Sequence, residues 1–153
     1  MLIFAVDQIS KWGAWHYWPA MRWHPFFPFG GKALLENFYG MDVALVNHAN
    51  KGAAFGFFAS HQEFLLGFRL AIVLATSIWL FFINKVEGYL LPVGLILSGA
   101  LSNIIDYFFY DHVVDLFYFR FWGYAYPVFN VADSVICIGT GLMLIHMLRA
   151  KKR

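Results

Sequence analysis

Charge is what this sequence has least of. Of its 153 residues only 13% are Asp, Glu, Lys or Arg, about half the roughly 25% usual in soluble domains. So few charges cannot cover the surface of a water-soluble chain of this length. Cysteine is nearly missing too. Cys137 stands alone in an apolar run, which excludes an internal disulfide and a CxxC metal knuckle. The formal net charge is only +2, and no basic stripe interleaves with aromatics, so nucleic acid is excluded as a partner. The histidines are scattered, with no pair at HExxH-type spacing, and neither a metal nor another cofactor is expected. The first six residues carry no basic stretch and Asp7 cuts short the apolar run they begin, so a cleavable signal peptide is not indicated.

What is present in excess is apolar side chain, 61% of the sequence. That excludes a disordered chain and points to an integral membrane protein. A membrane span needs about 20 mostly apolar residues. Stretches 64–83, 88–109 and 129–148 meet that length, and 1–18 nearly does although it carries Asp7 and Lys11. They are too long for barrel strands and lack barrel alternation, so helices are expected. The expected fold class is an all-α integral membrane domain over 1–153 with four transmembrane helices, joined outside by segments 19–63 and 110–128.

Basic residues set the orientation. Lys85 lies in the tight connection between the second and third spans, and Arg149, Lys151, Lys152 and Arg153 form the tail. With four spans these lie on one side, expected to be cytoplasmic together with both termini. Segments 19–63 and 110–128 hold few cations and are expected outside. Segment 19–63 opens with Trp23, Phe26, Phe27 and Phe29 among Pro19, Pro25 and Pro28, so it is expected to lie on the membrane surface rather than form a long helix. Residues 42–47 read as a short strand, with Val43, Leu45 and Asn47 on one face.

Polar residues inside spans carry the information, since a charge near a span centre costs roughly 2.5–3.5 kcal/mol on insertion scales. Asp7 and Lys11, four apart on a helix, share a face and can neutralise each other; alternatively one of them orders a nearby site. Asn103 and Asp106 share a face near the outer end of span three. Asn130 and Asp133 share one at the same end of span four. Asp111 and Asp115 lie between. Asp111 reads as a solvated acid or helix cap, whereas Asp115 sits in the apolar run Val113–Phe117. Two carboxylates converging at low dielectric cannot both ionise easily, so one serves as acid and one as base. Such a pair could activate water against a peptide carbonyl. The same residues suit a small proton-coupled transporter or channel subunit, with Asp7, Asp106 and Asp133 as relay, or an assembly factor locked by polar contacts. Chemistry alone does not separate the hydrolase from the transporter.

Five elements in order do. Asp7-Gln8-Ile9-Ser10-Lys11 resembles the DQxxK element of bacterial lipoprotein signal peptidase (signal peptidase II). Asn50-Lys51-Gly52-Ala53-Ala54-Phe55-Gly56 resembles its NxGAAF segment. Ser98 to Asp106 resembles GGAxGNxxD, Val113-Val114-Asp115 its VVD element, and Phe129-Asn130-Val131-Ala132-Asp133 its FNxAD element. The resemblance implies a monomeric four-helix inner-membrane aspartyl endopeptidase with a small outward β-cradle. It would cut the signal peptide from prolipoproteins just before a diacylglyceryl-modified cysteine, near the outer face, with membrane lipid around it. It implies Asp115 and Asp133 as the catalytic pair, with Asp7, Lys11, Asn50, Gly52, Asn103, Asp106 and Asn130 in support, and no metal. Three features depart from the family pattern. Tyr107 stands where an Arg usually follows Asp106, so Asp106 is expected to need another partner, with Arg69 and Arg120 as candidates. Ser98 and Ser102 replace helix glycines, which implies looser packing of the third helix. Only six residues precede Asp7, so either the start lies upstream or the first span is short.

Overall fold

The computed structural model describes residues 2–52 and 61–150. The chain runs α1 (Leu2–Tyr17), β1 (Lys32–Phe38), β2 (Met41–Asn50), α2 (Gln62–Ile78), α3 (Leu90–Tyr110), β3 (Val113–Phe121), β4 (Tyr124–Ala125) and α4 (Val131–Ala150). A π-helical turn, Trp79–Ile83, extends α2.

Three helical stretches, Gln62–Ile83, Glu87–Tyr110 and Val131–Arg149, are long and apolar enough to cross a membrane. Their outer sides expose Phe64, Phe68, Leu74, Phe81, Phe82 and Ile138, a surface suited to hydrocarbon and not to water. The expected spans 64–83 and 88–109 fall inside the first two. The expected span 129–148 begins too early, because α4 starts at Val131 and Phe129 instead bridges to Phe117 of β3. The expected span 1–18 corresponds to α1, whose 16 residues rise about 24 Å, short of a hydrocarbon core of about 30 Å.

α3 carries Pro92 in its first turn, where the missing N–H has no helical partner to lose. It stops at Asp111, an exposed residue in the left-handed conformation at φ 59° whose N–H reaches back to Tyr107 O. That is a helix C-cap, as the cap reading of Asp111 anticipated. Helix α3 packs against α1, α2 and α4. Gly99 makes the α3–α4 approach possible, since a Cβ there would stand 2.6 Å from Ala132 O.

The strands form one antiparallel sheet in the order β1-β2-β3-β4. Expected strand 42–47 is the middle of β2, with Asp42, Ala44 and Val46 buried on one face. The pairing of β2 with β3 shifts register between Leu45 and His48, and Asn47 is buried as well, so simple alternation fails there. After the shift His48 lies opposite Asp115, and Asn50 opposite Val113. β3 falls in the expected connection 110–128, yet six of the nine residues in its sequence VVDLFYFRF are β-branched or aromatic. In segment 19–63 a 3₁₀ turn at Met21–Trp23 precedes β1. The apolar core has three parts: Val73, Leu80, Val93, Leu97 and Ile104 between α2 and α3, then Ala14, Val114 and Leu116, then Ala44, Val46 and Tyr118. Buried polar side chains occupy the seam where α1, α3, α4 and β3 meet.

Candidate active site

α4 begins with a reciprocal cap. Asn130 Oδ1 accepts the Asp133 N–H at 2.8 Å, and Asp133 Oδ2 accepts the Asn130 N–H at 3.2 Å. This is a capping box, with Asn at the cap and Asp three residues on. Asn130 therefore precedes the helix rather than sharing its face with Asp133. The cap holds the Asp133 carboxylate in the first turn, where the helix dipole favours a negative charge.

The cap also engages β3. With Asn130 Oδ1 committed to a backbone N–H, its NH2 group points the other way. It donates to Asp115 Oδ1 at 2.8 Å and to Asn103 Oδ1 at 3.2 Å. A second amide, Asn50 at the end of β2, donates to Asp115 Oδ2 at 2.9 Å. Its own Oδ1 accepts the Gly52 N–H at 3.0 Å. Asn103 on α3 donates to Asp133 Oδ1 at 2.8 Å. Asp115 and Asp133 thus converge on one residue, Asn130. Asp115 is fully buried, and Asp133 is half-buried. Burial first, then the negative charge of Asp133, pushes the Asp115 carboxyl up to about 8; the Asn50 and Asn130 donors and the Lys11 charge pull it the other way.

A second polar group stands behind the first. Lys11 Nζ lies 2.7 Å from both Asp7 Oδ2 and Asp106 Oδ2, with all three side chains sealed from solvent. Its third bond goes to Asn103 Oδ1 at 2.7 Å. That bond fixes the Asn103 amide so that its NH2 group faces Asp133. Asp7 and Lys11 do pair, as expected, and Lys11 also orients Asn103, which donates to Asp133. Asp7 Oδ1 accepts the Ala132 N–H at 2.8 Å, so α1 ties down the first turn of α4.

Asp106 gets its cation from Lys11, not from Arg69 or Arg120. Arg69 donates to Gly52 O at 2.9 Å, and Arg120 pairs with Asp42 across β2 and β3. Gln8, at 2.8 Å, and the Val114 N–H, at 3.3 Å, complete the Asp106 partners. Lys11 reaches across from α1, which spacing within α3 could not reveal. Tyr107 lines a cavity of about 10 Å³ with Asn50, Arg69 and His112. Ser102 does more than replace a glycine. Its hydroxyl donates to Asp7 Oδ2 at 2.8 Å and accepts from Gln8 at 3.0 Å, so it joins the network instead of loosening α3. Gln8 and Ser102 were not singled out as site residues, although their place inside two of the five elements was a usable signal. Ala53, Ala54, Phe55 and Gly56 of the NxGAAF-like segment, and the basic tail Lys151–Arg153, lie outside the described residues.

The chain closely resembles known proteins in sequence and in fold. The model of a family described as "Signal peptidase (SPase) II" matches residues 1–149. A lipoprotein signal peptidase of Ralstonia nicotianae is 35% identical over 131 residues, which cover 83% of this chain and 73% of that one. One from Clostridium tetani is 39% identical over 103 residues, 65% of each chain. One from Chlamydia pneumoniae is 39% identical over 99 residues, 63% of this chain and 58% of that one. A bacterial membrane enzyme solved by the in meso method at 2.3 Å superimposes with TM-score 0.77 and 25% identity, covering 98% of this chain and 85% of the other. A second such enzyme, solved at 1.9 Å, gives TM-score 0.74 and 24% identity over 96% and 88% of the two chains. The chain belongs to the signal peptidase II family of aspartic endopeptidases.

Proposed function

We propose that the protein cleaves prolipoproteins before a diacylglyceryl-modified cysteine, with Asp115 and Asp133 as a catalytic dyad. The observation that carries this reading is the convergence of both carboxylates on Asn130, in a site where Asp115 is fully buried. The dyad holds one proton and titrates as a unit. The ionised carboxylate takes a proton from water as its oxygen bonds to the scissile carbonyl carbon, while the protonated partner gives its proton to the carbonyl oxygen. The resulting diol collapses. The carboxylate now ionised takes a hydroxyl proton, the other acid protonates the amine, the C–N bond breaks, and one proton remains on the dyad. No covalent intermediate forms.

The acyl chains of the substrate, held in the bilayer, set the depth at which its peptide bond meets the dyad. Asp7, Lys11, Asn103 and Asp106 support Asp133, while Asn50, Gly52 and Asn130 support Asp115. We further assign α1 as a fourth, short span: it packs on α3 and α4, and it carries its two charges inward. The protein is read as a monomer of the bacterial inner membrane with both termini cytoplasmic. The orientation is supported by the position of Lys85 and Arg149 at the helix ends away from Asn103 and Asp133. The sheet then faces outward as a cradle for the peptide flanking the cleavage point. Cleavage of a diacylglyceryl lipopeptide by the purified chain tests the assignment. Asp115→Asn and Asp133→Asn should each abolish turnover, and Asp111→Asn should leave it nearly unchanged. Full activity in either dyad variant would refute it.

A further inference from the structure

Gly52, in the segment after β2, lies within three hydrogen bonds that run in series. Arg69 of α2 donates Nη2 to Gly52 O at 2.9 Å. The Gly52 N–H donates to Asn50 Oδ1 at 3.0 Å. Asn50 Nδ2 donates to Asp115 Oδ2 at 2.9 Å. The order matters because a carboxamide has two unlike ends. With its oxygen held by Gly52, Asn50 can present only its NH2 group to Asp115. A turn free to move would let the amide rotate and set oxygen against carboxylate oxygen, which is repulsive.

Arg69 needs such a task. It is the eighth residue of a helix apolar enough to cross a membrane, where a guanidinium is costly to place. The ion pairs found among the described residues join Lys11 to Asp7 and Asp106, and Arg120 to Asp42; Arg69 is in none of them. Its recorded bond goes instead to the carbonyl of the residue that orients Asn50. The carbonyl and N–H of Gly52 belong to adjacent peptide groups on either side of its Cα, so Arg69 acts by holding the Gly52 backbone in the position from which its N–H orients Asn50.

We propose that Arg69 is a positioning residue for the peptidase reaction, acting through the Gly52 carbonyl and the Asn50 amide on Asp115. The proposal rests on the reading of Asp115 as catalytic. The test is steady-state cleavage of a diacylglyceryl lipopeptide by the full chain in detergent micelles. The variants are Arg69→Met, Arg69→Lys, Asn50→Ala, the Asn50→Ala/Arg69→Met double and Asp115→Asn, with thermal unfolding measured alongside to correct for folded protein. Arg69→Met should lower kcat about tenfold, about 1.4 kcal/mol, with KM changed by less than about twofold. Arg69→Lys, which can still donate to the carbonyl, should recover a third or more of the parent kcat. The double variant should be no more than about twofold slower than Asn50→Ala, because both substitutions break one chain. A parent-like kcat in folded Arg69→Met, no recovery in Arg69→Lys, or losses that multiply in the double variant would each overturn the proposal. If Asp115→Asn is inactive while Arg69→Met is normal, only the role of Arg69 falls. If Asp115→Asn is active, the dyad assignment itself falls.

Discussion

Asn130→Ala removes the one side chain that, among the described residues, hydrogen-bonds to both proposed catalytic residues. Asp115 would lose the 2.8 Å donor to its Oδ1 and keep Asn50 on the other oxygen. Asp133 would lose the acceptor for its own N–H, and with it half of the capping box. A hydrogen bond to a charged group contributes roughly 1.5–3 kcal/mol. Loss of one such bond that matters in the transition state lowers kcat/KM roughly 10- to 150-fold. The lost cap costs α4 about 1 kcal/mol of stability, so the rate must be expressed per folded molecule. The pH profile supplies a second readout. With the Asp115 carboxyl pushed up to about 8, the proton shared by the dyad leaves as the pH rises through that value. Activity should then fall on the alkaline side. Asn130 favours the ionised carboxylate by donating to it, so its removal should raise the pKa and move the alkaline limb to higher pH. Cleavage of a lipopeptide from mildly acidic to mildly alkaline pH measures both effects. A kcat/KM within about threefold of the parent, or a limb that moves to lower pH, would refute the reasoning.

Lys11→Met should destabilise the protein by about 3–5 kcal/mol, because it leaves Asp7 and Asp106 fully buried without their cation; an unchanged thermal unfolding midpoint in detergent would contradict this. Gly99→Ala should cost about 1–3 kcal/mol, since the new Cβ would meet the backbone oxygen of Ala132 at 2.6 Å. The helices would have to part, stretching the Asn103–Asp133 contact, so unfolding temperature and cleavage rate should fall together; a fall in neither would sink the packing argument.

The membrane helices were legible because composition and run length depend only on local sequence. Spans 64–83 and 88–109 lie inside observed helices, and the turn at Asp111 ended α3 as its residue type suggested. The sheet was half legible. Residues 42–47 alternate and read as a strand, but β1, KALLENF, is exposed along its whole length and alternates nothing. β3 carried a strand composition that its place in a connection concealed. The polar network was legible as a set of residues and not as a set of bonds. Asp7 and Lys11 share a helix face, so their pairing follows from spacing. That Lys11 also binds Asp106 and Asn103 depends on contacts 92 and more residues apart, which no local pattern encodes. The same holds for Arg69, whose partner is a backbone carbonyl and leaves no trace in side-chain chemistry.

The bond from Asp7 to the Ala132 N–H spans 125 residues and joins α1 to the first turn of α4. Asn103 and Asp115 precede α4 in the sequence, so both are synthesised before Asp133 and the cap that aligns it. If Asp115 and Asp133 form the dyad, a chain whose α4 has not docked lacks one of its two acids. On the proposed assignment, that bond makes activity conditional on the docking of α4 against α1.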